Sequence, residues 1–486
     1  MPDVQHWIHG QSQPSQDGQT LDLISPVTGE ARATMAAGQE GDVDIAVRSS
    51  SAASSEWSAM DPSERGRLLW TWADAIEDSR DRLAKEDSED AGKPILDCAE
   101  DVTAAAKLLR FFAGLPDKIH GSTMSVQPGL NAWTLREPYG VIGAIVPWNY
   151  PVYNAVAKVG GIVAMGNTCV LKPAEQAPTS AVTVAMLGVD AGLPLGVLNV
   201  VIGDYVAGRA LARHMDVAKI SFTGSTASGR EVMQAAAQSN LKSCTLELGG
   251  KSPLIVFPDA DLDVAAEACA FSNFYNQGQT CTATTRILVD RAVVDEFQKL
   301  LVARAEAIRV GNPREEDTQL GPLVSAEQLS RVESYVNRGV EMGATVVTGG
   351  GRASSRGFFY TPTVLRCSDP KNPVAQEEIF GPVATVIPFD SEEAAVTLAN
   401  GVNYGLAASV WTRDVMRMHR MAAAIKAGVI WGNCVFAEHP SMPVGGYGES
   451  GFGLEYGLAA GMEYTRQKSV WLDLTGDTLR WTGVDY

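Results

Sequence analysis

A cysteine and a glutamate in this chain have the side-chain types needed for covalent chemistry on a carbonyl group. Cys281 ends the polar, glycine-containing segment 274–281, and Glu247 precedes the pair Gly249-Gly250. A thiol is a readily activated nucleophile, and a carboxylate can activate water by accepting its proton. A cysteine taken alone is more often a small hydrophobic core residue. The pair therefore indicates covalent catalysis only if further motifs of the chain support the same chemistry.

Four further segments accompany this pair. They are Pro147-Trp148-Asn149-Tyr150-Pro151, Lys172-Pro173-Ala174-Glu175, Phe222-Thr223-Gly224-Ser225 and Glu377-Glu378-Ile379-Phe380-Gly381-Pro382. In order and approximate spacing, the six segments resemble the motifs of the NAD(P)-dependent aldehyde dehydrogenase superfamily, and the resemblance runs nearly end to end. It implies an α/β fold, the oxidation of an aldehyde to an acid and a nicotinamide dinucleotide as hydride acceptor.

The composition excludes several other classes of function. The 486 residues are 45% hydrophobic and 20% charged, an ordinary balance for a globular chain of two or three domains. The formal net charge of −18 argues against a nucleic-acid partner, because phosphate binding needs a clustered basic surface. The six histidines are scattered without metal-ligand spacing, so no metal site is expected.

The cysteines and the N-terminal residues indicate a cytoplasmic protein. The 7 cysteines lie far apart without a CxxC pair, which fits a reducing compartment better than a disulfide framework. No basic region followed by an apolar stretch opens the chain, so no signal peptide is expected. The most apolar region, residues 141–171, is interrupted by prolines, asparagines and a lysine, and we do not expect it to span a membrane.

Short β-rich runs alternate with helical patterns from residue 141 onward. Strands are predicted over residues 141–146, 168–171, 197–201, 219–222, 254–257, 286–289, 344–347, 383–387 and 407–411, and helices over 180–191, 228–237, 293–309 and 414–427. An earlier helix is predicted over residues 61–85, with Asp61 as N-cap and Pro62 at its first position. The alternation indicates an α/β fold with parallel sheets and crossover helices.

We expect two Rossmann-like domains, one for the cofactor and one for catalysis. Residues 1–119 and 139–248 are assigned to the NAD-binding domain, and residues 249–464 to the catalytic domain. The family resemblance adds a small β oligomerisation flap, formed by residues 120–138 and 465–486 with a strand near 469–474. It implies a homodimer or a homotetramer.

A cofactor site is predicted where the apolar run 168–171 ends in Lys172. Ligands of open parallel sheets gather at the carboxyl ends of the strands. By resemblance, Lys172 and Glu175 hold the adenosine ribose hydroxyls. The carboxylate of Glu175 repels an added 2′-phosphate, which favours NAD over NADP.

The common GxGxxG fingerprint is absent after the first strand, and Gly203 begins only a distant substitute for it. The resemblance instead implies that Ser225 meets the pyrophosphate at the start of a helix, whose free N–H groups suit an anion. The other cofactor contacts that it implies are Trp148, Gly249, Glu378 and Phe380.

The resemblance assigns four roles in catalysis. Cys281 is the nucleophile, and the carboxamide of Asn149 donates to the oxyanion together with the Cys281 backbone N–H. Glu247 activates the water that hydrolyses the thioester, and its apolar neighbours predict a raised pKa. Lys158 supports the oxyanion and water network.

The substrate is predicted to be a cationic aldehyde, because the segment 438–448 resembles the betaine-aldehyde and aminoaldehyde branch. A carboxylate at Glu438 and the aromatic rings of Tyr150, Tyr153 and Phe436 favour a cation. Ala157, Val444 and Gly448 depart from the pattern of that branch. A semialdehyde or a broad range of aliphatic aldehydes is the alternative.

Two other classes of function remain as rivals. A cysteine hydrolase without redox chemistry leaves Lys172, Glu175, Glu378 and Phe380 unexplained. A non-catalytic scaffold on the same fold needs none of Cys281, Glu247 and Asn149.

Overall fold

The central strands of the molecule are buried on both faces. Every residue of Val141–Ile145 and of Thr168–Lys172 is buried, as expected for parallel strands that helices cover on two sides. The structure, a computed structural model, describes residues 3–476. The predicted α/β fold is confirmed, with two mainly parallel sheets and smaller antiparallel ones.

The first large sheet has eight strands, and its central five are parallel. Their order is Gln11–Gln13, His6–Ile8, Leu198–Val200, Thr168–Lys172, Val141–Ile145, Lys219–Thr223, Ser243–Glu247 and Gly451–Phe452. The helices of this part of the chain are Glu40–Ala59, Pro62–Asp78, Arg80–Ala91, Ile95–Ala113, Pro151–Ala164, Thr179–Asp190, Tyr205–Arg213 and Thr226–Ala237. The last strand returns from far along the chain and pairs antiparallel with Leu246 and Glu247.

The second large sheet has seven strands. Their order is Thr345–Thr348, Thr363–Arg366, Val383–Phe389, Arg286–Asp290, Pro253–Val256, Ala407–Trp411 and Val429–Gly432. The helices of this part are Leu262–Phe274, Val294–Ala307, Ala326–Glu341, Pro373–Gln376, Glu392–Ala399 and Val415–Ala424, and a 3₁₀ turn spans Tyr275–Gly278.

Three small antiparallel sheets complete the described chain. Thr465–Asp473 pairs along its whole length with Leu130–Pro138, which also pairs with Thr123–Met124. The other two pair Thr20–Ile24 with Ala31–Ala36 and Tyr404–Gly405 with Tyr447–Gly448. The helix Gly457–Glu463 precedes the C-terminal strand. Residues 477–486 of the predicted flap lie outside the described residues.

The structure differs most from the predicted elements at two places. The single helix predicted over residues 61–85 is two helices, because Ser79 leaves helical geometry with φ −93° and ψ 14°. The C-terminal strand begins at Thr465, well before the predicted 469, because its partner Leu130–Pro138 is equally long. Within residues 3–476, no helix is both long and apolar enough to cross a membrane.

Candidate active site

A cavity of about 1120 Å³ receives side chains from both large sheets. Most residues singled out in the sequence line it: Trp148, Asn149, Tyr150, Tyr153, Lys172, Glu175, Ser225, Glu247, Gly249, Cys281, Glu378, Phe380, Phe436 and Glu438. Two do not. Lys158 is buried behind the wall, and Gly203 packs against Gly38 and Ala207.

The loop that carries Cys281 follows the helix Leu262–Phe274 and has an unusual backbone. Asn276, Gln277 and Gly278 have φ values of 49°, 57° and 69°, in the left-handed region that non-glycine residues rarely adopt. Such backbone strain persists only where contacts with the surrounding structure hold the residues in this conformation. Here the side chains anchor it, since Asn276 Nδ2 donates to the Asn149 carbonyl at 2.8 Å and Gln277 Nε2 donates to the Gly92 carbonyl at 2.7 Å.

The protein around Cys281 disfavours ionisation of its thiol. Burial raises the pKa of the thiol, and the carboxylates of Glu378, Glu247 and Glu438 raise it further. This differs from the ready ionisation of an ordinary thiol, which the sequence suggested. A positive charge placed near the sulfur would therefore be needed to favour the thiolate.

Asn149 lies between the strand Val141–Ile145 and the helix Pro151–Ala164, and its side chain is held against the cysteine loop. Its Nδ2 donates to the Gln279 carbonyl at 2.8 Å. A carboxamide has two N–H donors, so one of them remains for a ligand in the cavity. The Asn149 side chain and the segment next to Cys281 are thus fixed to each other by a direct hydrogen bond.

Glu247 is the last residue of the strand Ser243–Glu247 and is 8% exposed. Burial raises its pKa well above the usual range, Glu455 raises it further, and Lys158 opposes them. The raised pKa that its apolar neighbours predicted is therefore present. Its Oε1 is buried without a hydrogen-bond partner in the described part of the protein. A water molecule in the cavity could donate a hydrogen bond to this oxygen.

Glu455 is a residue of this site that sequence reasoning missed. It lines the cavity and pairs with Nζ of Lys158, which also donates to Ser221 Oγ at 3.1 Å. Spacing along the chain could not indicate it. The only signal lies in the short strand Gly451–Phe452, whose pairing with the end of Ser243–Glu247 brings this distant segment to the cavity.

At one end of the cavity, Lys172 Nζ lies 3.3 Å from the carboxylate of Glu175. Burial lowers the pKa of Lys172. Nearby, Ser225 caps the helix Thr226–Ala237 and accepts from the Ser228 N–H at 3.1 Å. This end thus presents a lysine–carboxylate pair beside the N-terminus of a helix.

Glu378 lies close enough to Cys281 to raise the pKa of its thiol, and Phe380 lines the same cavity. The Gly250 N–H donates to Glu378 Oε1 at 2.8 Å, and burial raises the pKa of Glu378 to about 7. A Cβ at Gly249 would lie too close to Glu378 Oε2, so a side chain there would displace this carboxylate. The rings of Phe380 and Trp148 meet edge to face at 5.4 Å.

The opposite end of the cavity is aromatic and acidic. Phe436 has its ring centroid 5.7 Å from that of Phe271, and the Tyr150 hydroxyl is 2.7 Å from Thr280 Oγ1. Glu438 reaches solvent in the cavity, but surrounding protein reduces its hydration and raises its pKa. Asp101, which the sequence did not single out, also lines this end.

Asp101 differs from Glu438 because it already has a cationic partner. Lys93 Nζ bonds to its carboxylate and lies 3.7 Å from the centre of the Tyr150 ring. Among the three departures noted in the sequence, Val444 lines the cavity, whereas Ala157 and Gly448 do not.

Comparison with known proteins identifies relatives that cover almost the whole chain. The profile of the aldehyde dehydrogenase family matches residues 13–470. An aldehyde dehydrogenase of Emericella nidulans is 44% identical over 465 residues, which are 95% of this chain and 93% of that protein.

Solved structures agree with this match. PnpE of Pseudomonas sp. WBC-3 was solved in complex with nicotinamide adenine dinucleotide; it is 42% identical, with a TM-score of 0.96 and 98% of both chains covered. The indole-3-acetaldehyde dehydrogenase AldA of P. syringae, in complex with NAD+ and IAA, is 38% identical, with a TM-score of 0.95 and coverage of 97% and 96%.

Proposed function

The chain belongs to the aldehyde dehydrogenase family, and we propose that it oxidises a cationic aldehyde with NAD through a cysteine-bound thioester. The convergence of Cys281, Glu247 and Asn149 on one cavity that continues to Lys172 and Glu175 carries this proposal. A hydrolase without redox chemistry would have no use for the second half of that cavity. A scaffold would need neither half.

The first half of the proposed reaction joins the aldehyde to the enzyme. The Cys281 thiol gives its proton to water in the cavity, and the resulting thiolate attacks the carbonyl carbon. The C–S bond forms as the carbonyl π electrons move to oxygen, which becomes the oxyanion of a thiohemiacetal. The free N–H of the Asn149 carboxamide and the Cys281 backbone N–H stabilise that oxygen. Removing one such donor typically costs on the order of 3 kcal/mol in the barrier.

The second half releases the acid. The former aldehyde carbon gives up a hydride as the oxyanion reforms a carbonyl, which leaves a thioester on Cys281. Glu247 then takes a proton from water, and the resulting hydroxide attacks the thioester and displaces the thiolate. The ion pair of Lys158 and Glu455 lies next to Glu247 and supports the transfer of the proton that Glu247 takes from water.

The residues fit NAD as the hydride acceptor. Lys172 and Glu175 would hold the adenosine ribose, and the helix that begins after Ser225 offers free N–H groups to the pyrophosphate. Trp148, Glu378 and Phe380 would hold the nicotinamide end, where Gly249 leaves room. When bound, NAD accepts the hydride, and its positive ring opposes the carboxylates that raise the pKa of the thiol.

The acidic, aromatic end of the cavity supports a cationic substrate. Glu438 makes no hydrogen bond or ion pair within residues 3–476, so its charge is available, and the nearby rings offer cation–π contacts. The arginines that line the described cavity are Arg209 and Arg331, and both lie toward the cofactor residues: Arg331 donates to the Glu378 carbonyl, and Arg209 adjoins Gly208 beside Lys172. A semialdehyde would thus meet no arginine at this end.

The test is to follow NADH absorbance with matched cationic, neutral and anionic aldehydes. The proposal predicts NADH formation, with the highest kcat/KM for the cationic substrate. Equal values for cationic and neutral aldehydes of the same length would overturn the cationic assignment in favour of broad aliphatic specificity. A preference for the anionic aldehyde would support the semialdehyde alternative, and no NADH from any aldehyde would remove the whole proposal.

The domain division of the sequence analysis also stands as a proposal. The strands of 1–119 and 139–248 contribute to the first large sheet, except for the separate pair Thr20–Ile24 and Ala31–Ala36. Those of 249–464 form the second, except for Gly451–Phe452 and the short pair at 404–448. The sheet built from 120–138 and 465–476 exposes Trp471, Leu472 and Leu474. These apolar side chains support a homodimer or homotetramer, which light scattering after gel filtration tests.

The cytoplasmic location proposed from composition is supported by the cysteines. All 7 lie within the described residues, and all are free thiols. A reducing compartment would keep them so. Fractionation of the cells that produce the protein would test the location.

A further inference from the structure

One short segment outside the cavity lining contacts both the helix that follows Asn149 and the loop that carries Cys281. It comprises the end of the helix Arg80–Ala91 and the following Gly92. On one side, Asp87 Oδ2 accepts a hydrogen bond from the Val152 N–H at 3.1 Å. On the other side, the Gly92 carbonyl accepts the hydrogen bond from Gln277 in the Cys281 loop.

The helix that follows Asn149 lacks a cap of its own. Its N-cap residue is Tyr150, whose side chain makes no capping hydrogen bond. The first N–H groups of a helix have no partner within the helix, and leaving one buried and unpaired costs free energy. Asp87, which is 1% exposed, supplies the missing acceptor from another helix. A carboxylate is also the group that the positive end of the helix dipole favours.

These hydrogen bonds connect three segments in a closed loop of contacts. Asp87 holds the start of the helix next to Asn149, and Asn149 is hydrogen-bonded to Gln279 and Asn276 of the cysteine loop. Gln277 of the same loop returns to Gly92, next to the helix that carries Asp87. Each of the three segments is thus tied to the other two by buried hydrogen bonds.

We propose that Asp87 is a positioning residue that fixes Asn149 relative to Cys281 through the start of the helix Pro151–Ala164. The inference rests on the proposed role of Asn149 as oxyanion donor. Asp87 touches neither substrate nor cofactor, since it does not line the cavity. Its removal should therefore slow acylation without weakening substrate binding.

The experiment measures the rate of the NADH burst in Asp87→Ala, Asn149→Ala and the double variant. Asp87→Ala is expected to slow the burst roughly 10- to 100-fold, because a displaced donor loses part of the 10²- to 10³-fold effect of a deleted one. KM should change less than about twofold, since the substrate contacts remain. In the Asn149→Ala background, removing Asp87 should cost less than about threefold, because residues that act as a unit are not additive.

Two further variants separate positioning from general stability. Asp87→Asn keeps an acceptor oxygen and should restore the burst to within about threefold of the natural rate. Asp90 is the matched control, because it lies on the same helix and accepts from the Thr179 N–H at 3.0 Å, at the start of a different helix. Asp90→Ala should lower the thermal midpoint yet leave the burst rate at saturating NAD unchanged.

The outcomes distinguish failure of this inference from failure of the proposed function. Losses that multiply in the double variant, or an Asp90→Ala variant that is slowed as much as Asp87→Ala, would show a merely structural Asp87 and overturn the inference. An Asn149→Ala variant with a normal burst would instead overturn the oxyanion role. If Asp87→Ala does not fold, Asp87→Ser, which keeps a shorter acceptor, takes its place, with an intermediate loss expected.

Discussion

Replacing Glu247 by glutamine should separate the two halves of the proposed reaction. The Oε1 atom of Glu247 is buried without a partner, so the amide of the same shape breaks no hydrogen bond at that atom. Acylation should survive, because Glu247 is among the carboxylates that raise the pKa of Cys281 and its loss lowers that pKa. Hydrolysis of the thioester should slow, because the amide cannot take a proton from water.

The expected magnitude follows from the role of a general base. Such a base contributes about 10²- to 10⁴-fold to a rate, so steady-state kcat should fall by that factor, a barrier increase of about 3 to 5 kcal/mol. The NADH burst should keep an amplitude near one per active site. The variant would then accumulate as the thioester.

Stability should change in the opposite direction to turnover. The folded protein raises the pKa of Glu247 above the ordinary value of 4.5. Ionising this buried carboxyl therefore costs stability, and the cost grows as the pH rises above that ordinary value until the folded group ionises. Glutamine carries no such cost. The thermal midpoint of Glu247→Gln should exceed that of the natural protein, and the difference should be larger at neutral than at acidic pH.

Stopped-flow absorbance of NADH measures both phases, and scanning calorimetry measures the midpoints. Glu449→Gln is a suitable control, because Glu449 pairs with Arg230 and does not line the cavity. It should retain both burst and steady state. If Glu247→Gln loses the burst together with the steady state, the assignment of Glu247 to deacylation is wrong.

Three other predictions follow from the same cavity. Cys281→Ala should abolish turnover while NAD still quenches tryptophan fluorescence, and residual NADH formation would contradict the thioester route. Glu438→Gln should raise KM for a cationic aldehyde about 5-fold, because Glu438 reaches solvent in the cavity and two unit charges about 4 Å apart in water attract by about 1 kcal/mol. KM for a neutral aldehyde should stay the same, and an equal change for both would argue against charge recognition. Glu175→Gln should raise kcat/KM for NADP relative to NAD, because the carboxylate that repels the 2′-phosphate is gone. Arg209, which has no ion partner in the described chain, lines the same end of the cavity. An unchanged ratio would show that Glu175 does not select the cofactor.

Much of the fold could be predicted from local pattern. The run 407–411 was predicted with the bounds that the structure has, and the other strands predicted between residues 141 and 389 differ at their ends by a residue or two. Parallel strands buried on both faces leave such continuous apolar runs. The break at Ser79 could not be predicted in this way, since the apolar stripe continues from Ile76 to Leu83 across the two helices.

The residues of the candidate site that belong to sequence motifs could be predicted. Those that reach the site only through tertiary contacts could not. Cys281, Glu247 and Asn149 meet in one cavity as the motif order implied. Glu455 and Asp101 line the same cavity, but each reaches it through the packing of a distant segment, which leaves no spacing signal. The raised pKa of the Cys281 thiol was equally hidden, because it depends first on burial and then on three carboxylates from separate parts of the chain.

The two-residue strand Gly451–Phe452 belongs to the first large sheet although it follows the second sheet in the chain. It covers the edge of Ser243–Glu247, and the chain reaches it only after completing the second sheet. A fragment cut after residue 248 would leave that edge open, and unpaired edges invite aggregation. The fragment 1–248 should thus be insoluble when produced alone. Its solubility should be restored when the remainder of the chain is produced with it as a separate polypeptide. Synthesis must pass residue 452 before Glu247, the proposed water-activating base, acquires its neighbour on this edge.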